Sequence, residues 1–314
     1  MKNSIKIIQP DDWHVHFREG EMLSVVTKYS SRVNRRCIAM PNTSTPITNS
    51  LEAINYKNLI QKHSYKNNFE ALIPCYLTDN LDVDDFEYAL QNHIFIGGKL
   101  YPNNATTNSQ YGVNDIKKIY NIFEILEKHN KTLLIHGELN RIDIDIFDRE
   151  KYFIDEELYQ IRNSFKDLKI VLEHVSSDYG VDFVKTNNNI AGTITPHHML
   201  LTKKDVFKYL YESDLFLSTS LYEGHPISIL EAMSIGLPII ASEVTGNIDT
   251  IKNGDSGFFY ELGDINQAVY LIEKILKNKK LRLKFSNNSF LTHRKLFTTT
   301  KMKNSYLSLY KKYK

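Results

Sequence analysis

The stretch "DDWHVHF", residues 11–17, sets two histidines one residue apart behind an apolar run, and Arg18 follows at once. In an extended chain alternate side chains share a face, so His14 and His16 point the same way. Such an H-x-H pair can grip one divalent metal, because neutral imidazole is a first-choice zinc ligand. Asn42, Lys99, His136, His174 and the pair His197/His198 also end apolar runs. One histidine in such a place is usually a satisfied structural residue. Imidazoles on several runs, with a lysine on another, point to a common centre. His136 and His174 can grip a second metal. A Lys99 ammonium would repel it, but the amine carboxylated by carbon dioxide is an anionic bridge. That requires a neutral amine, so burial and nearby cations must lower its pKa from the usual value of about 10.4. Two bridged metals polarise a carbonyl and make water a nucleophile at neutral pH.

The elements that must carry these residues alternate. Strand-like runs are "IKIIQP", "RCIAMPN", "FEALIPCYL", "IFIGGKLYP", "TLLIHGE", "KIVLEHV" and "IAGTITPHHML", and helix-like stretches such as "SLEAINYKNLIQKH" and "VNDIKKIYNIFEILEKHN" lie between them. Strands alternating with helices predict a parallel sheet, open or closed into a barrel. Seven such runs by residue 200 predict a TIM-type barrel one strand short. In a barrel all strand C-termini open onto one face, where active sites are built, and the residues named above end strands.

With 314 residues, the chain suits one large barrel or two medium domains. A balance of 39 basic against 37 acidic residues, net +2, gives no electrostatic case for nucleic acid. The tail "KMKNSYLSLYKKYK" reads as a solvated helix rather than a membrane or RNA contact. Cys37 and Cys75 each sit in an apolar run, which predicts buried free thiols. No signal-like or membrane-spanning run is evident, so a soluble, cytoplasmic protein is expected.

The motifs "DDWHVHFREG", "MPNTSTPIT", "CYLTD", "GGKLYPNNATTNSQYGV", "LLIHGE", "DIDIFDRE", "LEHVSS" and "TITPHHML" closely resemble the monofunctional bacterial dihydroorotases, in order and spacing, over about residues 5 to 205. The resemblance implies the incomplete (β/α) barrel of a metal-dependent amidohydrolase. It implies two zinc ions, one on His14 and His16, the other on His136 and His174, bridged by carboxylated Lys99. It also implies that Arg18 and Asn42 hold a substrate carboxylate, and that Thr106 and Thr107 lie in a loop closing over substrate. His136 would face substrate too. The implied reaction is reversible cyclisation of N-carbamoyl-L-aspartate to dihydroorotate in pyrimidine biosynthesis, and the implied assembly is a homodimer.

One family residue has no counterpart. Dihydroorotases carry an aspartate, in a G-T-D-S-A-P-H run, that ligates zinc and moves the proton, and nothing after residue 205 matches that run. The nearest stretch, "LFLSTSLYEGHP", would put Ser220 there, a poor zinc ligand and proton carrier, and is read as accidental. No catalytic residue is therefore assigned.

The stretch from Tyr211 to Asp264 instead resembles the C-terminal domain of retaining GT-B glycosyltransferases of the family 4 type. Glu223 and Glu231 form its E-x7-E signature, ahead of "GLPIIAS". "LFLSTS" reads as a strand and "PISILEAMSIG" as a helix whose N-terminus favours a diphosphate. The resemblance implies Glu231 on a ribose and Glu223 on the donor sugar of a nucleotide sugar. The acceptor domain and half of the donor domain have no match. The expected organisation is residues 1–206 as the barrel and 207–314 as a partial Rossmann-like domain. The functional alternatives are a zinc amidohydrolase of doubtful activity, a nucleotide-sugar-binding fragment, and a catalytically dead chimera.

Overall fold

The computed structural model describes residues 7–65, 68–141, 143–200, 203–221, 223–224 and 226–312. The chain divides into two compact units, Met1–Leu200 and Leu201–Lys314.

The first unit holds eight short strands: β1 (Asp12–Val15), β2 (Arg36–Ala39), β3 (Glu70–Leu72), β4 (Cys75–Tyr76), β5 (Gly97–Leu100), β6 (Thr132–Ile135), β7 (Lys169–Leu172) and β8 (Ile190–Gly192). All their pairings are parallel, in two sheets of order β1-β2-β3 and β4-β5-β6-β7-β8. That is the strand order of an incomplete (β/α) barrel. Among the described residues β1 pairs only with β2, and β8 only with β7.

Period-two alternation decides which side chains see the site. Val15, Phe17, Cys37, Ala39, Leu100, Leu133, Ile135, Ile170 and Leu172 face the helices and join one large buried core. Ile38, Met40 and Leu134 face the other way, with Leu72, Ile96 and Val171 against them, and line the inner face. The helix Ser50–His63 covers part of the outer face and starts where "SLEAINYKNLIQKH" predicts. Its N-cap, Asn49, accepts from the Glu52 amide at 2.9 Å, which satisfies one of the helix's orphan donors.

Three strand expectations need correction. "IKIIQP" is not β1: Ile7 and Ile8 are 77% and 94% exposed, and the strand lies on "DWHV". Ile5 and Lys6 lie outside the described residues. "FEALIPCYL" is two strands rather than one. Pro74 has no N–H to give a ladder, so the run serves β2 before it and β5 after it. "IAGTITPHHML" keeps only β8, and Pro196–Leu200 turns helical. His198 therefore sits on a helix rather than at a strand end, and the side chain of His197 lies outside the described residues.

The second unit has a parallel sheet ordered β11-β10-β9, from β9 (Phe216–Ser218), β10 (Ile239–Ser242) and β11 (Gly257–Tyr260). One core packs Ile229, Met233 and Ile239, and another packs Ile240, Tyr260 and Phe285. The helix Ile227–Ser234 stops before Gly236, whose φ of 82° is the left-handed conformation helix ends favour. The basic tail is helical over Thr299–Lys312. No helix among the described residues is long and apolar enough to cross a membrane. Both cysteines are free and buried, and burial pushes the Cys37 thiol up to about 12.

Candidate active site

His14 and His16 flank Val15, which is buried on the opposite, helix-facing side. Their Nε2 atoms come within 3.2 Å of each other. Two nitrogens bound tetrahedrally at about 2.0–2.1 Å sit roughly 3.3 Å apart, so this pair matches one zinc. His136 follows β6 and His174 follows β7, and His174 Nε2 lies 2.9 Å from His136 Nδ1. The His14 and His174 rings meet edge to face with centroids 5.7 Å apart. The four imidazoles thus form a continuous row, His16–His14–His174–His136.

Lys99 is fully buried, with its Nζ against a carboxylate oxygen of Glu173. The other Glu173 oxygen lies 2.9 Å from His14 Nδ1. Lys99 Nζ also stands 4.6 Å from the centre of the Tyr101 ring. Burial lowers the Lys99 pKa, with the Glu173 charge opposing that shift. Burial pushes Glu173 up, but the Lys99 charge and the His14 contact prevail and hold it at about 2. Burial is also the main reason the imidazoles stay neutral. His16 falls to about 3, His136 to about 2 and His174 to about 4, helped by the positive charges around them.

Several polar atoms here lack hydrogen-bond partners while buried: His136 Nε2, the Tyr101 hydroxyl and Asn42 Oδ1. A metal requires neutral imidazoles, and for the His136/His174 pair the converging nitrogens are His136 Nδ1 and His174 Nε2, not the bare His136 Nε2. The donors converge in pairs, however. Among the described residues no set of three or more His, Cys, Asp or Glu side chains is spaced to hold one ion. The donors present are thus two histidine pairs, His14/His16 and His136/His174, and the Lys99 amine meets Glu173 and Tyr101 rather than either pair. A cavity of about 520 Å³ adjoins them, lined by residues including Trp13, His14, His174, Thr193 and Pro196.

Arg18 has φ 62°, and its carbonyl accepts from the Tyr56 hydroxyl at 3.0 Å. No carboxylate among the described residues pairs with its guanidinium. Asn42 is buried and donates to the Thr107 carbonyl at 2.9 Å. Thr106 sits in the same loop, its amide donating to Ser109 Oγ at 2.9 Å.

Glu173 was not anticipated. The signal that finds it is the same alternation: Leu172 faces the helices, so the next residue faces inward. His174 has φ 45°, which swings the chain so that consecutive residues both reach the site.

In the second unit Ser220 Oγ donates to Glu223 Oε1 at 2.6 Å, and the Gly246 amide donates to the Glu223 carbonyl at 3.1 Å. Glu231 lies within Ile227–Ser234, half-buried. Pro226 opens that helix without a side-chain cap.

A "Dihydroorotase" from Buchnera aphidicola subsp. Schizaphis graminum is 44% identical over 236 residues, 74% of this chain and 68% of that protein. The chain belongs to the dihydroorotase family. Dihydroorotase structures agree in fold. The one from Campylobacter jejuni has TM-score 0.60 at 25% identity, over 93% of this chain and 84% of that one. The Saccharomyces cerevisiae dihydroorotase in complex with 5-fluoroorotic acid gives 0.58 at 26%, over 93% and 85%. The family model for glycosyl transferases group 1 matches residues 189–291. This dihydroorotase-family chain therefore also carries a glycosyltransferase-like segment.

Proposed function

We propose that the first unit is a dihydroorotase-type amidohydrolase centre for N-carbamoyl-L-aspartate and dihydroorotate. The observation that carries this is the row of four imidazoles beside a buried Lys99, with an Arg18 guanidinium nearby that no carboxylate among the described residues pairs with. His14 and His16 would hold one zinc, His136 and His174 a second, and carboxylated Lys99 would lie between. Zinc there supplies Lewis acidity, polarising a carbonyl and acidifying water. Arg18 offers a planar fork that suits a carboxylate, and Asn42 adds a carboxamide. The loop holding Thr106 and Thr107 lies beside Asn42 and shields the reacting ring from water.

The proton carrier is missing, since no residue matches the family's aspartate. General acid–base catalysis contributes typically 10²–10⁴-fold. Ring opening by this chain should therefore fall about that far below a complete dihydroorotase. The test is dihydroorotate turnover by the full-length chain with zinc supplied, against His16→Ala. Slow turnover that vanishes in His16→Ala supports the assignment. A folded chain that binds neither zinc nor dihydroorotate overturns it.

The match over residues 189–291 favours a second reading, in which the second unit binds a nucleotide sugar through Glu223 and Glu231. Calorimetric titration with UDP-glucose tests it. Binding that disappears in Glu231→Ala and ignores chelators supports this reading; no binding by the folded chain removes it. The family's homodimer belongs to the first reading and is checked by light scattering.

A further inference from the structure

We propose that Glu173 is a positioning residue for His14, fixing the ring with a proton on Nδ1 and a bare Nε2 aimed at His16. The geometry of this proposal stands alone; its consequence for zinc rests on the function proposed above.

Glu173 is 1% exposed, and both of its carboxylate oxygens are engaged, one by Lys99 Nζ and the other by His14 Nδ1 at 2.9 Å. A carboxylate gripped at both ends cannot rotate away. Ionised, it only accepts, so the hydrogen between it and His14 must belong to Nδ1. A neutral imidazole has one such hydrogen, which leaves His14 Nε2 as an acceptor. That nitrogen is 3.2 Å from His16 Nε2, so in the metal-free chain the hydrogen there belongs to His16. The two histidines of one H-x-H pair therefore take opposite tautomers, and the asymmetry comes from Glu173. A ligating histidine whose far nitrogen is held by a carboxylate is oriented and made more basic.

Nothing else described reaches His14 Nδ1. The Asp12 carboxylate bonds the His14 backbone amide instead, at 3.1 Å. His136 and His174 contact each other, and the carboxylate beside them is Glu138, 4.0 Å from His136 Nε2, rather than Glu173, so they serve as internal controls.

The experiment uses the full chain, ¹⁵N-labelled at histidine and stripped of metal, at a pH where the rings are neutral. Ring nitrogen shifts are compared in the parent, Lys99→Met/Glu173→Gln and Glu173→Met. The parent should show His14 protonated at Nδ1 and His16 at Nε2. Glu173→Gln should keep that pattern with Lys99→Met beside it, because a carboxamide has one accepting oxygen for His14 and its NH2 would otherwise face the Lys99 ammonium. Glu173→Met should scramble His14 while His136 and His174 stay put. Zinc affinity, read by competition with a chromophoric chelator, should fall about 10–100-fold in Glu173→Met. An Nε2 proton on His14 in the parent overturns the proposal, as does an unchanged His14 tautomer in folded Glu173→Met. Should Glu173→Met fail to fold around a stranded Lys99, the double variant Lys99→Met/Glu173→Met puts the same question to His14. A parent chain that takes up no zinc overturns the zinc assignment, while the tautomers still decide on Glu173.

Discussion

Asn42 Nδ2 donates to the Thr107 carbonyl at 2.9 Å, and Asn108 Nδ2 returns a bond to the Asn42 carbonyl at 3.0 Å. The end of β2 is thereby tied to the loop after β5. Asn42, expected to hold a substrate carboxylate, is bonded to the loop expected to close over substrate. Asn42→Ala removes the first bond, worth about 1 kcal/mol. Hydrogen exchange over residues 103–113 should quicken about fivefold, while the rest of the first unit is unchanged. The dissociation constant for dihydroorotate should rise as well. Unchanged exchange in that loop would mean that the bond does not hold it.

The buried Lys99–Glu173 pair has an asymmetric dependence on its members. Removing one partner leaves an uncompensated charge in the interior, whereas removing both leaves none. Lys99→Ala should destabilise the first unit by about 3–5 kcal/mol. Lys99→Met/Glu173→Met should recover most of that loss, although it forfeits the bridge. Trp13, the chain's single tryptophan, lies on β1 and reports the first unit's urea unfolding by fluorescence. Equal midpoints for the single and double variants would contradict the charge argument.

Stability of the metal-free chain should rise with pH. Burial holds His16, His136 and His174 at about 3, 2 and 4, whereas unfolded histidine sits near 6.5. Between those limits the unfolded chain binds more protons, so acid favours unfolding. The contribution is complete above about pH 7 and is lost as pH falls through 6.5 to about 4 for His174, 3 for His16 and 2 for His136, at no more than about 1.4 kcal/mol per unit for each ring. Glu173, held at about 2, loses its contribution lower still, as pH falls below its usual 4.5. Urea midpoints should therefore drop between pH 7.5 and pH 5.0, and His136→Asn should flatten the slope. Equal midpoints at the two pH values would show that these rings titrate as exposed groups do.

The alternation of apolar and polar residues made His14, His16, Lys99 and His136 legible as one inner face, because period two allows no other arrangement once Val15, Leu100 and Ile135 face the helices. The same rule applied to Leu172 would have exposed Glu173. Reading "LEHV" as a strand that ends in its histidine hid it, and the φ of 45° at His174 carries no residue-type signature. "IKII" misled because its apolar residues say nothing about which of two neighbouring runs pairs, and Ile7 and Ile8 face solvent. The break at Pro74 was readable from the missing N–H. The Asn42–Thr107 bond was not, since a main-chain carbonyl can belong to any residue type.

Gly97 tests the sheet that carries Lys99. It pairs in register with Thr132, and a Cβ built at residue 97 would lie 2.1 Å from the Thr132 carbonyl oxygen. Thr132 is itself paired with Lys169 on its other side, so neither β5 nor β6 can yield without disturbing β7. Gly97→Ala should therefore cost about 3 kcal/mol, which lowers the melting temperature read at Trp13 by roughly 6–12 °C. Gly224→Ala is the control for handling and for the added methyl: nothing lies within 4 Å of a Cβ there, and the backbone is not in the left-handed region. Because residue 97 precedes Lys99 by two positions on the same inner face, the clash should also shift the lysine. Zinc uptake by Gly97→Ala should then fall even at temperatures where the chain is fully folded. Melting and zinc uptake equal to the parent's would mean that β5 and β6 do not pair at this register.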